Sequence, residues 1–181
     1  MTSDSYTPGD ITPTASIRWD SSWPELAGNN DRSLLFSYLY ERFGMPEGLF
    51  HEYLLFSQKS GWYLLHASAL KEDVSRIKVS RVGLKAFRKV GQFVKPTTRF
   101  IQTFGQYAAR RVCQVSPETL SRLVAGEEIS VDEDYEKGYV ILATNKTCFL
   151  GLGFFIHGRI RSQLPGNQLK TTIIINSPGH S

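Results

Sequence analysis

Short apolar segments joined by tight turns recur along this chain of 181 residues and constrain its fold more than any other feature. EYLLFSQ and GWYLLHAS flank Lys59-Ser60, and GYVILAT is followed by CFLGLGFFI and RIRSQL across turns at Asn145-Lys146 and His157-Gly158. Strand-like runs separated in this way are typical of antiparallel hairpins. Many short strands with few helices predict an α+β protein that contains a small β-barrel.

The chain divides into three predicted parts. Residues 1–29 are rich in Ser, Thr, Pro, Gly and Asp and lack helical or strand periodicity, which indicates a flexible tail. Trp19 and Trp23 are the exception, because tryptophans in a tail usually pack onto a domain or onto a partner. We expect residues 30–108 to form a mixed α/β subdomain and residues 109–175 to form the barrel, with TTIIIN as a closing strand.

Three helices are predicted from the residues at their starts. Asn30 or Asp31 is the expected cap of the first helix. The second helix is expected to begin after Thr97 or Thr98. Ser116 is the expected cap of the third, because the Pro and Glu that follow it suit the first helical turn.

Basic residues are concentrated in one acid-free segment, from Val74 to Pro117. The segment has ten Lys and Arg residues, whereas the rest of the chain has an excess of six acidic residues, in a protein of net charge +4. Because a patch of one sign creates a local field, this distribution predicts a polyanionic partner. Four phenylalanines are interleaved with the charges, and most of them are expected in the core: Phe87, Phe93, Phe100 and Phe104.

Two strands are predicted within the acid-free segment. IKVSRVGL alternates apolar Ile77 and Val79 with polar Lys78 and Ser80, which indicates a half-buried strand. FRKVGQFV is expected to contribute the next strand. Basic residues on both sides of the turns are therefore expected to gather at one rim of the sheet.

No convergent set of catalytic or ligand groups is recognisable in the sequence. The four histidines are scattered without metal-ligand spacing, and the acidic loop VDEDYEK lacks the spacing of an EF-hand. Gly151 and Gly153 lie between strand-type residues, so they do not indicate a nucleotide-binding loop. Cys113 and Cys148 lie in apolar runs and are expected to be buried, reduced thiols. We predict no enzyme activity, cofactor or metal, and an unrecognised RNA-modifying site is the less favoured alternative.

Targeting signals are not recognisable either. The N-terminus has no basic-then-apolar leader, and no apolar run approaches the roughly 18 residues of a membrane span. These observations predict a cytoplasmic protein without a membrane partner.

Three motifs follow one another in the second half of the chain: Gly138-Tyr139-Val140, Leu150-Gly151-Leu152-Gly153 and Gly158-Arg159-Ile160-Arg161. This succession resembles the end of a PUA domain, the small RNA-binding β-barrel attached to many RNA-modifying enzymes. In particular it resembles the PUA-like region of the Fmu/Sun-type rRNA 5-methylcytosine methyltransferases. Upstream, SRVGLKAFRKVGQFVKPTTRF is similar to a glycine-rich and basic segment of the same family.

The resemblance covers about residues 38–170 and implies an α/β unit followed by a PUA-like barrel that binds RNA. The methyltransferase half of that family has no counterpart here, so no catalytic residue is carried over. Where the family often has a basic residue after its L-G-x-G motif, this chain has Phe154. The implied RNA contacts of the barrel therefore shift to Arg159, Arg161 and Lys170.

The predicted function is non-catalytic binding of structured RNA, either rRNA or tRNA, in ribosome biogenesis or RNA modification. The predicted RNA-binding residues are Lys85, Arg88, Lys89, Lys95, Arg99, Lys146, Arg159, Arg161 and Lys170. An RNA methyltransferase or a ribosomal particle is a further candidate partner. The alternative is a protein-interaction module that docks on an RNA methyltransferase or a ribosomal protein and contacts RNA little.

Overall fold

The computed structural model describes residues 20–70, 77–79 and 81–165. Two five-stranded β-sheets and three α-helices make up the regular structure of these residues, which confirms the predicted α+β class with few helices. One of the sheets is curled into a half-barrel. The predicted strand TTIIIN lies outside the described residues.

The first sheet is antiparallel, and its strands are neighbours in the order in which they follow along the chain. Its strands are β1 (Glu25–Leu26), β2 (Tyr53–Gln58), β3 (Gly61–His66), β4 (Leu84–Val90) and β5 (Phe93–Pro96). Gln58 pairs with Gly61. The predicted hairpin around Lys59-Ser60 is therefore confirmed.

The second sheet has the order β6-β8-β9-β10-β7. Its strands are β6 (Val112–Gln114), β7 (Glu128–Ser130), β8 (Gly138–Ala143), β9 (Phe149–Ile156) and β10 (Arg159–Ser162). β6 runs parallel to β8, whereas the other neighbouring pairs are antiparallel. The hairpins predicted across Asn145-Lys146 and His157-Gly158 are both present.

The helices are α1 (Asn29–Phe43), α2 (Thr98–Phe104) and α3 (Pro117–Val124). The Thr97 and Ser116 side chains cap α2 and α3 as predicted, each accepting a hydrogen bond from the backbone three residues on. The predicted cap of α1 is wrong, because Gly28 occupies the N-cap position without a side-chain bond. Asp31 instead accepts a hydrogen bond from Trp62 Nε1 at 2.8 Å, which ties the first turn of α1 to β3.

The largest group of buried residues is shared between the two sheets. It contains residues of α1, α2 and the first sheet, together with Ile141 of β8 and Leu152 of β9. α2 packs against both β4 and β9. The division predicted between residues 108 and 109 thus separates the two sheets along the chain, while one hydrophobic core joins them in space.

Part of the predicted tail belongs to the folded structure. The described residues of the predicted tail begin at Asp20, and β1 among them pairs with β2. Trp23 is buried, and its ring centroid lies 5.8 Å from that of Phe56. The expectation that a tail tryptophan packs onto a domain is confirmed for Trp23, whereas Trp19 lies outside the described residues.

Neither strand predicted in the acid-free segment forms as expected. Ile77–Val79 is not a strand, because its backbone groups bond to side chains: Trp23 Nε1 donates to Ile77 O at 2.8 Å, and Val79 N donates to Ser22 Oγ at 3.0 Å. FRKVGQFV is two strands, β4 and β5, rather than one. The chain reverses at Gly91, whose φ of 60° suits a two-residue hairpin turn.

The two cysteines differ in burial. Cys113 on β6 is buried as predicted, and burial raises the pKa of its thiol to about 11. The prediction for Cys148 is wrong, because its side chain is exposed. Its place in the turn between β8 and β9 explains this, since Cys148 N donates to Asn145 Oδ1 at 2.7 Å to close the turn.

No helix within the part of the chain that the structure describes is long and apolar enough to cross a membrane.

Trp23→Phe is expected to lower the free energy of unfolding by about 1 kcal/mol, because it removes the hydrogen bond to Ile77 O but keeps an apolar ring in the cluster. Urea unfolding followed by far-UV circular dichroism measures the loss. A variant that unfolds at the wild-type urea midpoint would show that this bond adds nothing to stability.

Candidate nucleic-acid interface

A pocket of about 330 Å³ lies where β4, β5, the start of α2 and the segment after β10 meet. Four of the nine predicted RNA-binding residues line it: Lys85, Arg88, Lys95 and Arg99. Thr98 and Gln163 add polar groups to the lining, and none of the lining residues is acidic. We call this site the basic pocket.

An irregularity in the first sheet builds one wall of the basic pocket. Trp62 pairs with Phe87 and Tyr63 with Lys85, so Ala86 has no partner on β3, as in a β-bulge. On the other side of β4, the backbone N–H of Thr97 donates to Ala86 O at 2.8 Å and continues the ladder between β4 and β5. The Thr97 hydroxyl donates to Lys85 O at 2.6 Å and accepts from Phe100 N at 3.1 Å.

These bonds fasten the first turn of α2 to the bulged strand. As a result Thr98 and Arg99 lie beside Lys85 and Arg88 around one pocket, although the two pairs come from different elements. Bulges often re-aim side chains next to functional sites, and here the bulge gathers cationic side chains.

Arg88 and Lys95 are directly opposite each other on β4 and β5. Lys95 Nζ donates to Gln163 Oε1 at 2.8 Å and lies 5.5 Å from the centroid of the Tyr139 ring. Burial lowers the pKa of Lys95, and the nearby charge of Arg88 lowers it further. Two like charges held together in this way favour a bound anion, because an anion would stabilise both.

The other cations of the pocket also lack acidic partners. Lys85 Nζ donates to the neutral Ser60 Oγ at 2.8 Å and lies 5.5 Å from the Tyr63 ring centroid. The side chains of Arg88 and Arg99 are exposed, and neither makes an ion pair or hydrogen bond with residues 20–70, 77–79 or 81–165. The positive charge of the pocket is therefore uncompensated within this part of the chain.

Lys89 and Lys146 do not line the basic pocket. The ammonium of Lys89 lies 4.7 Å from the centroid of the Trp62 ring, on the hairpin face opposite to that of Arg88. Lys146 is exposed in the turn between β8 and β9. Lys170 lies outside the described residues.

The predicted residues Arg159 and Arg161 lie on β10, where both are near Glu128 on the neighbouring strand β7. Arg161 Nη2 lies 2.6 Å and Arg159 Nη1 lies 3.9 Å from the Glu128 carboxylate. One acid thus offsets part of the charge of both arginines, and neither lines the basic pocket.

Two arginines of the acid-free segment have structural contacts. Arg110 Nη2 donates to Tyr40 O at 2.7 Å, which ties the chain after α2 to α1. Arg111 Nη2 lies 2.6 Å from the Glu136 carboxylate in the acidic loop before β8. The acidic loop therefore compensates Arg111, and the basic pocket is left without acid.

Sequence reasoning missed two features of this region. Gln163, in the segment after β10, reaches the pocket only because the sheets pack together. Most of the four interleaved phenylalanines are in the core as predicted, because Phe87, Phe100 and Phe104 are buried, but the sequence did not identify Phe93 as the exception, at 76% exposed. The alternation of Phe93, Val94 and Lys95 on a short strand is the sequence signal that could have found it.

The structure also brings together a serine, a histidine and a carboxylate. Ser68 Oγ lies 2.7 Å from His66 Nδ1, and Glu52 Oε2 lies 3.2 Å from His66 Nε2. The Glu52 side chain is 73% exposed, whereas the carboxylate of a catalytic triad is shielded from water. His66 also accepts from Ser68 N, so the group caps the short 3₁₀ turn Ala67–Ala69.

Comparison with known proteins does not provide a family: no family model matches the chain, and no curated protein sequence matches it.

Proposed function

We propose that this chain is a non-catalytic, cytoplasmic RNA-binding protein that holds the phosphate backbone of structured RNA in the basic pocket. The observation that carries this proposal is the convergence of Lys85, Arg88, Lys95 and Arg99 on one pocket whose lining has no acid. Phosphate contacts supply most of the non-specific affinity for a nucleic acid, and they require uncompensated Lys and Arg side chains.

The residue types around the pocket suit phosphate. Arg88 and Arg99 each present a planar fork of donors that matches two phosphate oxygens, while Lys85 and Lys95 act as point charges. Thr98 and Gln163 offer neutral hydrogen-bond donors beside them. The exposed arginines would contact the RNA backbone first. The half-buried lysines would keep the bound phosphate in a positive field.

RNA is the polyanion that we favour, because residues 138–161 carry the motifs that resemble a PUA domain. We propose a PUA-like barrel for the second sheet with α3, and rRNA or tRNA as the bound molecule. The narrow major groove of an A-form helix cannot be read by side chains, so discrimination would depend on shape, 2′-hydroxyls and unpaired bases. An RNA methyltransferase or a ribosomal particle would then be an associated partner.

Replacing Arg88 and Arg99 together with Gln is expected to weaken RNA binding and flatten its salt dependence. Each lost phosphate contact should reduce the slope of log K against log salt by about 0.7 to 0.9. Fluorescence polarisation with labelled rRNA fragments over a range of salt concentrations measures both quantities. Both side chains are exposed and make no ion pair or hydrogen bond with the described residues, so the variant is expected to fold.

Arg122→Gln with Lys137→Gln is the matched control, because it removes the same net charge from residues that do not line the pocket. An equal change in slope in both double variants would show that only net charge matters and would reject the pocket. Absence of wild-type RNA binding at low salt would reject the proposed function and favour the protein-interaction module. Trp23 is buried against its own chain and does not offer a docking surface for a protein partner, which counts against that alternative.

A further inference from the structure

The tip of the β4–β5 hairpin exposes an aromatic ring to solvent. Val90 and Phe93 are directly opposite each other at the end of the two strands, and their side chains are 48% and 76% exposed. Phe93 is the most exposed of the large hydrophobic side chains in the described part of the chain. A ring in this position contributes little to the core and is free to contact a ligand.

Phe93 lies on the same hairpin face as two cations of the basic pocket. Two positions along the ladder from the pair Val90–Phe93 is the pair Arg88–Lys95. Alternate residues of a strand point to the same side of the sheet. Phe87 and Val94 point to the other side, where they pack in the shared core. One face of the hairpin therefore carries the ring at its tip and the charges about 7 Å further along each strand.

We infer that Phe93 is a stacking platform for an unpaired RNA base whose neighbouring phosphates are held in the basic pocket. This inference rests on the proposed function, and it adds the class of nucleotide that the same surface prefers. Every base has a flat π-face, so an exposed ring beside a basic groove binds single-stranded segments with little sequence preference. Arg88 and Lys95 provide the charge complementarity that favours such a segment.

The surroundings of Phe93 favour a base over a protein or a lipid surface. The hairpin has Lys85, Arg88, Lys89 and Lys95 on its two strands and no acid. The apolar part of the tip is one ring and one valine, whereas protein hot spots are usually well-packed apolar centres surrounded by a polar rim. A single ring with cations along the strands that lead to it is the arrangement found in single-strand binding surfaces.

Stacking on Phe93 predicts a preference for unpaired over paired RNA. Bases inside a duplex are already stacked and cannot cover the ring, whereas bases in loops, bulges and ends can be splayed out. The cations of the basic pocket contact phosphates in both kinds of RNA. Removing the ring should therefore reduce affinity for single strands and leave affinity for duplexes almost unchanged.

Phe93→Ala is expected to weaken binding of a labelled uridine oligomer of about 12 nucleotides by about 5- to 100-fold. Binding of a blunt RNA duplex of the same length should change less than about twofold, because the ring does not contact phosphates. The slope of the salt dependence should stay the same for both probes, since Phe93 has no charge. Phe93→Tyr should bind the oligomer about as tightly as the wild type. Phe93→Leu should bind it as weakly as Phe93→Ala, because leucine is apolar without a π-face.

Tyr107→Ala is the matched control, because this aromatic side chain is also exposed, at 45%, but lies in the segment after α2 and not on the β4–β5 hairpin. Equal oligomer affinity of wild type and Phe93→Ala, with salt-dependent binding intact, would overturn the stacking role and leave the proposed function standing. Oligomer affinity of Phe93→Leu equal to that of the wild type would indicate a general apolar contact and would also overturn the stacking role. Loss of binding to phosphatidylserine vesicles in Phe93→Ala, with oligomer affinity unchanged, would identify a membrane contact instead. Absence of salt-dependent binding by the wild type would reject the proposed function itself.

Discussion

Phe50→Ala is expected to lower the free energy of unfolding by about 3–5 kcal/mol, because it removes a fully buried ring from the centre of the shared core. The ring is stacked on Phe36 of α1 at a centroid distance of 4.6 Å. It also lies 5.9 Å from Phe100 and 5.4 Å from Phe104, both on α2. The ring also lies 6.4 Å from that of Tyr53 on β2, so one side chain contacts both helices and the first sheet.

Urea unfolding of Phe50→Ala should show a lower midpoint with a slope close to that of the wild type. Leu34→Ala is the control on α1, because its side chain is 61% exposed and its loss should cost less than about 0.5 kcal/mol. If both variants lose the same small amount of stability, the ring does not hold the helices together. On the proposed function, Phe50→Ala should also weaken RNA binding, because Phe100 anchors the turn of α2 that carries Arg99.

Gly61→Ala is expected to lower the free energy of unfolding by about 3 kcal/mol and, on the proposed function, to weaken RNA binding as well. Gly61 begins β3 with a φ of 143° and pairs with Arg88. An added Cβ would overlap the carbonyl oxygen of Phe87 and lie 3.1 Å from Arg88 Cα. These are backbone atoms, so relief requires a shift of β4, and that shift would move Arg88 in the basic pocket.

Gly91→Ala separates steric overlap from backbone strain. Gly91 also has a positive φ, of 60°, but a Cβ added there would have no heavy atom within 4 Å beyond its chain neighbours. Only the strained backbone conformation then costs stability, about 1 kcal/mol. Urea unfolding and polarisation titration of both variants test the difference. Equal losses of stability would show that the close approach of β3 and β4 is unimportant.

Hairpins and helix caps were predictable from the sequence because their signals are local. The hairpin at Lys59-Ser60 and the caps at Thr97 and Ser116 depend on residues within a few positions of each other. The failed prediction of a strand at Ile77–Val79 involves competition from distant residues. Ile77–Val79 has a strand-like pattern, but side chains more than 50 positions away in the chain bond to its backbone.

Contacts between distant residues also decide which of the predicted RNA-binding residues share the basic pocket and which do not. Lys85, Arg88, Lys95 and Arg99 came together because a bulge in β4 and the Thr97 hydroxyl fold α2 back beside the hairpin. Arg161 is paired with Glu128, which is 33 positions earlier in the chain and becomes its neighbour only through strand pairing. An ion pair at that separation has no sequence signal, because any of the 17 acidic residues could have supplied it.

The α+β class, the main hairpins and the concentration of positive charge between Val74 and Pro117 all follow from the amino-acid sequence alone. Apolar periodicity and turn residues act over a few positions, so they can be read without coordinates. Tertiary packing determines which charges share a pocket, which are paired with acids, and why Phe93 is exposed while three similar phenylalanines are buried. Those outcomes depend on register and on the packing of two sheets around one core, which bring distant residues within a few ångströms of each other.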